Sequence, residues 1–317
     1  MSLTLSAITA ARARIGPYVK RTPVLTNEAL DTAAGANLFF KCENLQAVGA
    51  FKARGAANAV FALTDAQAAR GVVTHSSGNH GAAVARAARL RGIPGTIVMP
   101  HNAPAAKVRN VERHGGRIVF CEPTLAAREA ACARLVAETG AALVHPFDDY
   151  AVMAGQGTAA LELLEDAPDL DLVLCPVGGG GLLCGTAVAA KGSRPGIRVV
   201  GVEPAVADDV AQSFRARRRI SLPSTPTIAD GLRTNETGER NLPLILEHVD
   251  DVVTVTEEAI VAAMRTLWEE LKLVIEPSCA VPFAAIQSGR LDVRGRRVGL
   301  ILTGGNVDLD SLPWLKN

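Results

Sequence analysis

The chain has 317 residues, 48% hydrophobic and 21% charged, enough for a sizeable core in one large domain or two. Lys and Arg number 33 against 32 Asp and Glu, and a net charge of +1 offers no electrostatic case for nucleic acid or an acidic membrane surface. Six cysteines, at 42, 121, 132, 175, 184 and 279, lack CxxC spacing and read as small buried hydrophobes of a reducing compartment. The N-terminus has no apolar signal region and no apolar run is long enough to span a bilayer, so the expectation is a soluble cytoplasmic protein with a small-molecule ligand.

In chain order, the candidate strands are 38–41, 72–77, 95–100, 117–122, 142–147, 171–177, 198–204, 251–256 and 298–305. Most are apolar at successive positions, as strands covered on both faces must be. Alanine-rich stretches such as "HGAAVARAARLRG" and "LAAREAACARLVAETG" supply helices between them, and glycine often follows as a C-cap. This alternation predicts an α/β fold with mostly parallel sheets, and about nine strands suggest two domains. The dense basic run Arg215 to Arg219 reads as a solvated surface. The segment 205–248 is less regular, and long irregular stretches in such chains are often functional.

Ligands of open parallel sheets bind beyond the carboxyl ends of strands. Four stretches stand there: "THSSGNHG", "CPVGGGG", "VEPAVADD" and "LTGGN". Gly178 to Gly181 follow a strand and open a helix, where bare backbone N–H groups and the helix N-terminus suit a phosphate. A dinucleotide fingerprint fails, since its last glycine falls on Leu183 or Cys184, so a monophosphate is favoured. "HSSGNHG" by itself is adequately explained as a helix cap, but its hydroxyls and amide also suit a carboxylate. Lys52 is the single lysine in "VGAFKARGAAN", set among small residues, which calls for a partner or a chemical task. A monophosphate cradle, a carboxylate site and an isolated lysine together suggest pyridoxal phosphate, whose aldehyde lysine attacks to form an imine.

At this point the chain resembles the fold-type II pyridoxal-phosphate enzymes, in particular the threonine/serine dehydratase and serine racemase group. "FKARGA", "SSGNHG", "AGQGT", "VGGGG", "EPAVADD", "IADG", "IEPS" and "TGGN" occur in the family's order over nearly the whole chain. The resemblance implies two open α/β domains of the tryptophan synthase β-like kind with the active site between them. Residues 1–70 with 149–317 would form the large domain and 71–148 the small one. By resemblance, Lys52 bonds the cofactor and takes the α-proton, with Phe51 on the ring. Asn79 meets the ring hydroxyl, Gly178, Gly179, Gly180 and Gly181 hold the phosphate, Glu276 lies near the cofactor, and Thr303 faces the pyridine nitrogen. Ser76, Ser77, Asn79, His80, Arg128 and Thr234 become the substrate candidates, Ser77 also matching a second base in racemases. Arg128 would suit a β-carboxylated substrate such as 3-hydroxyaspartate. Glu203, the carbonyl of Ala207 and Asp209 would hold Mg²⁺ or Ca²⁺.

The expected activity is therefore α,β-elimination from a β-hydroxy amino acid of the L-threonine or L-serine type, giving an α-keto acid and ammonia. A neutral hydroxyl at Thr303 makes a weaker electron sink than a carboxylate and favours prompt loss of a β-leaving group. The alternatives are a serine racemase with side elimination and a 3-hydroxyaspartate dehydratase; a non-catalytic ligand-binding protein on the same scaffold is the rival from another class. Phe147 stands where the mammalian-type racemase has asparagine, which tilts the reading toward a dehydratase. The resemblance also implies a homodimer, and the length leaves no room for an isoleucine-sensing domain.

Overall fold

The computed structural model describes residues 2–76, 78–103 and 105–315. Among these residues, ten strands form two sheets. They are β1 (Val24–Leu25), β2 (Asn37–Cys42), β3 (Val72–His75), β4 (Gly95–Pro100), β5 (Arg117–Cys121), β6 (Ala142–Leu143), β7 (Leu172–Pro176), β8 (Arg198–Pro204), β9 (Asp251–Val255) and β10 (Arg297–Leu302). The larger sheet has the order β1-β2-β10-β7-β8-β9 and the smaller β5-β4-β3-β6. All neighbours are parallel except β1, which runs antiparallel to β2.

Parallel strands need crossovers, and helices supply them on both faces. That is why the strands of the larger sheet read as continuous apolar runs: β7 is buried at every residue. One face packs Leu172, Leu174 and Val200 against the helices Glu257–Leu271 and Pro277–Gln287; the other packs Val173, Cys175 and Val199 against Tyr150–Asp166 and Gly181–Ser193. The smaller sheet buries Val72 and Ile97 beneath the helix Asn79–Arg91, with Val73 and Val98 facing Leu125–Thr139. All six cysteines are unpaired. Among the described residues, no helix is long and apolar enough to cross a membrane.

Two sequence expectations change. The run 142–147 is a strand only over Ala142–Leu143. Val144 N–H still reaches the Val73 carbonyl at 2.9 Å, but Pro146 has no N–H. The His145 ring then captures the backbone N–H groups of Phe147 and Asp148, at 3.4 and 2.9 Å. The edge strand β1, two residues long, has no period to reveal it.

A fully buried ionic cluster lies behind the helix Lys52–Ala62. Arg54 donates to both carboxylate oxygens of Glu43, at 2.7 and 2.8 Å, and to both of Glu162, at 2.8 and 2.7 Å. Lys41 completes it with 2.6 Å to Glu162 and 2.7 Å to the Thr22 carbonyl. Two cations thus face two anions, with the hydroxyl of Thr22 donating to Glu43 at 2.5 Å.

Candidate active site

The cleft between the two sheets holds a cavity of about 1390 Å³. The carboxyl ends of β3, β7 and β10 meet there, as expected for open parallel sheets. Phe51, Lys52, Ser76, Asn79, His80, Arg128, Gly178 to Gly181, Thr234, Glu276 and Thr303 all line it. Ser77 lies outside the described residues.

Lys52 is brought to the cavity by backbone bonds to the exit of β10. Phe51 N–H donates to the Thr303 carbonyl at 2.9 Å, and Ala50 bridges Gly304. The Lys52 ammonium donates to the Pro146 carbonyl at 2.7 Å and lies 5.2 Å from the Phe51 ring centroid. Burial pushes it down to about 8, with the Glu276 carboxylate opposing. A lysine so placed gives up its proton closer to neutral pH than a solvated one, which makes the reactive neutral amine accessible.

Glu276 is 4% exposed and accepts from Asn79 Nδ2 through both oxygens, at 3.0 and 3.1 Å. Burial and the Asp230 carboxylate push it up to about 7 against the Asn79 bond. Asn306, which the motif "TGGN" contains, donates to Asn79 Oδ1 at 2.8 Å and to the Val48 carbonyl at 2.7 Å. The Asn79 side chain is thereby fixed at the first turn of the helix Asn79–Arg91. His80, on the same turn, is 2% exposed with Nε2 against the Val144 carbonyl at 3.1 Å.

The glycine loop needs its glycines for space. A Cβ on Gly179 would overlap the Phe147 ring, and Gly180 has φ +101°, which only glycine adopts without strain. The Gly179 carbonyl is held by three donors: Asn241 Nδ2 at 2.9 Å, Gly238 N–H at 3.1 Å and the Thr237 hydroxyl at 3.2 Å. A trans peptide opposes its carbonyl and N–H. Anchoring this oxygen therefore aims the Gly180 N–H the other way, beside the unsatisfied N–H groups opening the helix Gly181–Ser193. Thr237, Gly238 and Asn241 escaped the sequence reading because they come from the irregular segment, whose pairing with the loop is purely tertiary.

Two hydroxyls in the cavity wall, Thr303 Oγ1 and Thr234 Oγ1, are buried with no partner among the described residues. Such orphans call for a ligand. A phosphate cradle, a near-neutral amine and an orphan hydroxyl from β10 together fit a phosphorylated aldehyde cofactor. A family model described as "Pyridoxal-phosphate dependent enzyme" matches residues 15–304. The chain belongs to that family.

Proteins of closely similar sequence include a serine racemase of Oryza sativa subsp. indica, 50% identical over 313 residues, covering 97% of this chain and 92% of the relative. A β-hydroxyaspartate dehydratase of Paracoccus denitrificans is 49% identical over 311 residues, covering 98% of both. The solved structure of maize serine racemase superposes with a TM-score of 0.96 at 49% identity, covering 99% of this chain and 97% of that one. The expected architecture, two parallel-sheet α/β units of fold-type II, is the one observed.

Capture of pyridoxal phosphate by the cofactor-free protein, followed by visible absorbance, is expected to accelerate through a midpoint at about pH 8. Only the neutral amine attacks the aldehyde, so the rate rises with pH. A midpoint near the ordinary lysine value of 10.5 contradicts the burial argument.

The metal candidates lie away from the cavity. Glu203 ends β8 fully buried, accepting Val210 N–H at 3.2 Å and Ala211 N–H at 2.7 Å. Asp209 is also fully buried, and neither carboxylate oxygen has a partner among the described residues. Burial pushes Asp209 up to about 8, and burial together with Asp209 pushes Glu203 well up. Among the described residues, no group of three or more His, Cys, Asp or Glu could hold a metal. A cation here would need the Ala207 carbonyl and water beside the two acids, and the orphaned Asp209 carboxylate suits that.

An ion pair spans the cleft. Lys107, on the helix Ala105–Arg113, meets Asp230 of the 3-10 turn Asp230–Leu232 at 2.7 Å.

Proposed function

We propose that the chain is a dehydratase (ammonia-lyase) acting on a β-hydroxy amino acid by α,β-elimination, and that its substrate carries a second carboxylate, as 3-hydroxyaspartate does. The observation that carries this reading is the wall facing Lys52. The smaller sheet's helices contribute Arg109, Arg113 and Arg128 to the cavity, beside Lys107, which Asp230 pairs, and one acid of the same helices, Glu129. A dicarboxylate gains from such a wall, whereas the methyl group of threonine does not.

The bound cofactor supplies the electron sink that makes the α-proton removable. Lys52, lowered to about 8, is the base at hand for that proton. The Asn79–Arg91 helix N-terminus, with Ser76 and Asn79 beside it, suits the α-carboxylate. Thr303, whose hydroxyl is buried without a partner among the described residues, would face the cofactor's ring nitrogen as a neutral group, a weaker electron sink than a carboxylate and one that would favour loss of the β-hydroxyl. Phe51 lies beside Lys52 and Phe147 packs on the glycine loop, giving both an apolar neighbour in the cavity wall.

A serine racemase is the second reading, supported by the rice relative at 50% identity. One assay separates the two. The loaded enzyme is given L-threo-3-hydroxyaspartate, L-serine, D-serine or L-threonine, and both keto acid and opposite enantiomer are quantified. Keto acid forming fastest from hydroxyaspartate supports the proposal. Faster formation of the opposite enantiomer from serine replaces it with racemisation.

The proposal includes a divalent cation on Glu203, the Ala207 carbonyl and Asp209. Chelation is expected to lower the melting temperature, with Mg²⁺ or Ca²⁺ restoring it; at a hundredfold excess over Kd the cation contributes about 2.7 kcal/mol. No change on chelation removes the cation from the proposal. It also includes the small domain as residues 71–148, a cytoplasmic setting consistent with six unpaired cysteines, and a homodimer.

A further inference from the structure

His75 and His145 carry no role in the account so far, yet the fold sets them side by side. β3 and β6 pair in parallel with Val72 opposite Ala142 and Val73 opposite Leu143. Continuing that register puts His75, the last residue of β3, opposite His145. Their rings meet edge-to-face with centroids 5.7 Å apart, and both line the cavity.

The chemistry of His145 is set by its surroundings. Nδ1 accepts the Asp148 N–H at 2.9 Å and the Phe147 N–H at 3.4 Å. A neutral imidazole whose Nδ1 accepts must carry its proton on Nε2. That proton is a hydrogen-bond donor with no partner among the described residues. The next peptide, at Pro146, holds the Lys52 ammonium at 2.7 Å, so His145 stands beside the reacting centre. His75, 8% exposed, makes no side-chain hydrogen bond to any described residue. Arg128 lines the same cavity and, after burial and His145, lowers His75 further, as a nearby cation does.

We propose that His75 and His145, together with Arg128, form the subsite that receives the second carboxylate of a dicarboxylic substrate, with His145 donating from Nε2. This rests on the dicarboxylate reading of the activity and names the residues that impose it. A chain of donors leads from Lys52 through His145 and His75 to Arg128. An amino acid held at Lys52 with its side chain turned along this wall meets a donor at each step. A carboxylate satisfies them, and a methyl or hydrogen leaves them unpaired.

The test compares His145→Asn, His145→Gln and His75→Asn in the cofactor-loaded protein. Asparagine keeps an acceptor near the Nδ1 position and removes the outer donor; glutamine places an amide donor near Nε2. The first readout is the ratio of kcat/KM for L-threo-3-hydroxyaspartate to that for L-serine. The second is calorimetric Kd for succinate relative to glycine, which has no side chain. His145→Asn and His75→Asn are each expected to reduce both ratios at least tenfold, with His145→Gln recovering part of the loss. If the parent protein favours the dicarboxylates and all three variants keep that preference, the subsite is overturned while the activity reading stands. If the parent shows no such preference, both fall together.

Discussion

Replacing Lys52 with alanine is expected to reduce turnover by a factor on the order of 10³ or more and to abolish the borohydride-sensitive attachment of the cofactor. General-base catalysis alone contributes roughly 10² to 10⁴, and the other lysine among the described cavity residues, Lys107, is held by Asp230. Alanine is a good helix former at the start of the Lys52–Ala62 helix, so the fold should persist. Phosphate and ring contacts would still retain some cofactor non-covalently. The measurement is twofold: keto acid release, and tritium incorporation from labelled borohydride. Undiminished turnover with label still incorporated at the cavity would remove Lys52 from its assigned role.

Arg54→Met is expected to be the most destabilising substitution considered, by about 3 to 5 kcal/mol, the usual cost of removing one partner from a buried ion pair. The variant would leave Glu43 and Glu162 buried with Lys41 as their only cation. Thermal melting of the loaded protein should fall by roughly 10 °C. The pH dependence has a definite sign. Burial pushes Glu162 up, but the bonds from Arg54 and Lys41 outweigh it and hold the carboxyl below its usual value. A carboxyl lowered in the folded state adds stability above its unfolded pKa, and that stability is lost as pH falls through the folded value. In Arg54→Met much of that lowering is gone, so the gap between parent and variant should narrow as the solution is acidified below the carboxylate range. A variant as stable as the parent at neutral pH would mean that the cluster contributes nothing net.

The two experiments report on one piece of chain. Lys52 and Arg54 are two residues apart in a single helix turn, one aimed into the cleft and one into the ionic cluster. Arg54 ties that turn to Glu43 after β2 and to Glu162 in the helix Tyr150–Asp166. Reactive and anchoring charges therefore share a helix, with the anchor fully neutralised so that the Lys52 amine responds mainly to burial and to Glu276.

Much of this was legible without coordinates. Apolar runs at successive positions announced buried parallel strands, because a strand covered on both faces has no polar side to alternate. Glycine at 178 to 181 announced a loop open to close backbone approach, because side chains there would intrude. The order of short motifs announced the family and, through it, Lys52, Asn79, Glu276 and Thr303. Local chemistry and spacing are properties of the linear chain.

What the linear chain did not contain is pairing between distant segments. Thr237, Gly238 and Asn241 orient the Gly179 peptide from about 60 residues away, by contacts that no periodicity encodes. His75 and His145 become neighbours only through the register of β3 on β6. Asp209 was expected beside Glu203 as a cation ligand, but its complete burial is a property of the fold alone. Sequence determined which groups are available and which backbone shapes they permit; the tertiary structure decided which of them lose water and face one another, and burial and proximity set their reactivity.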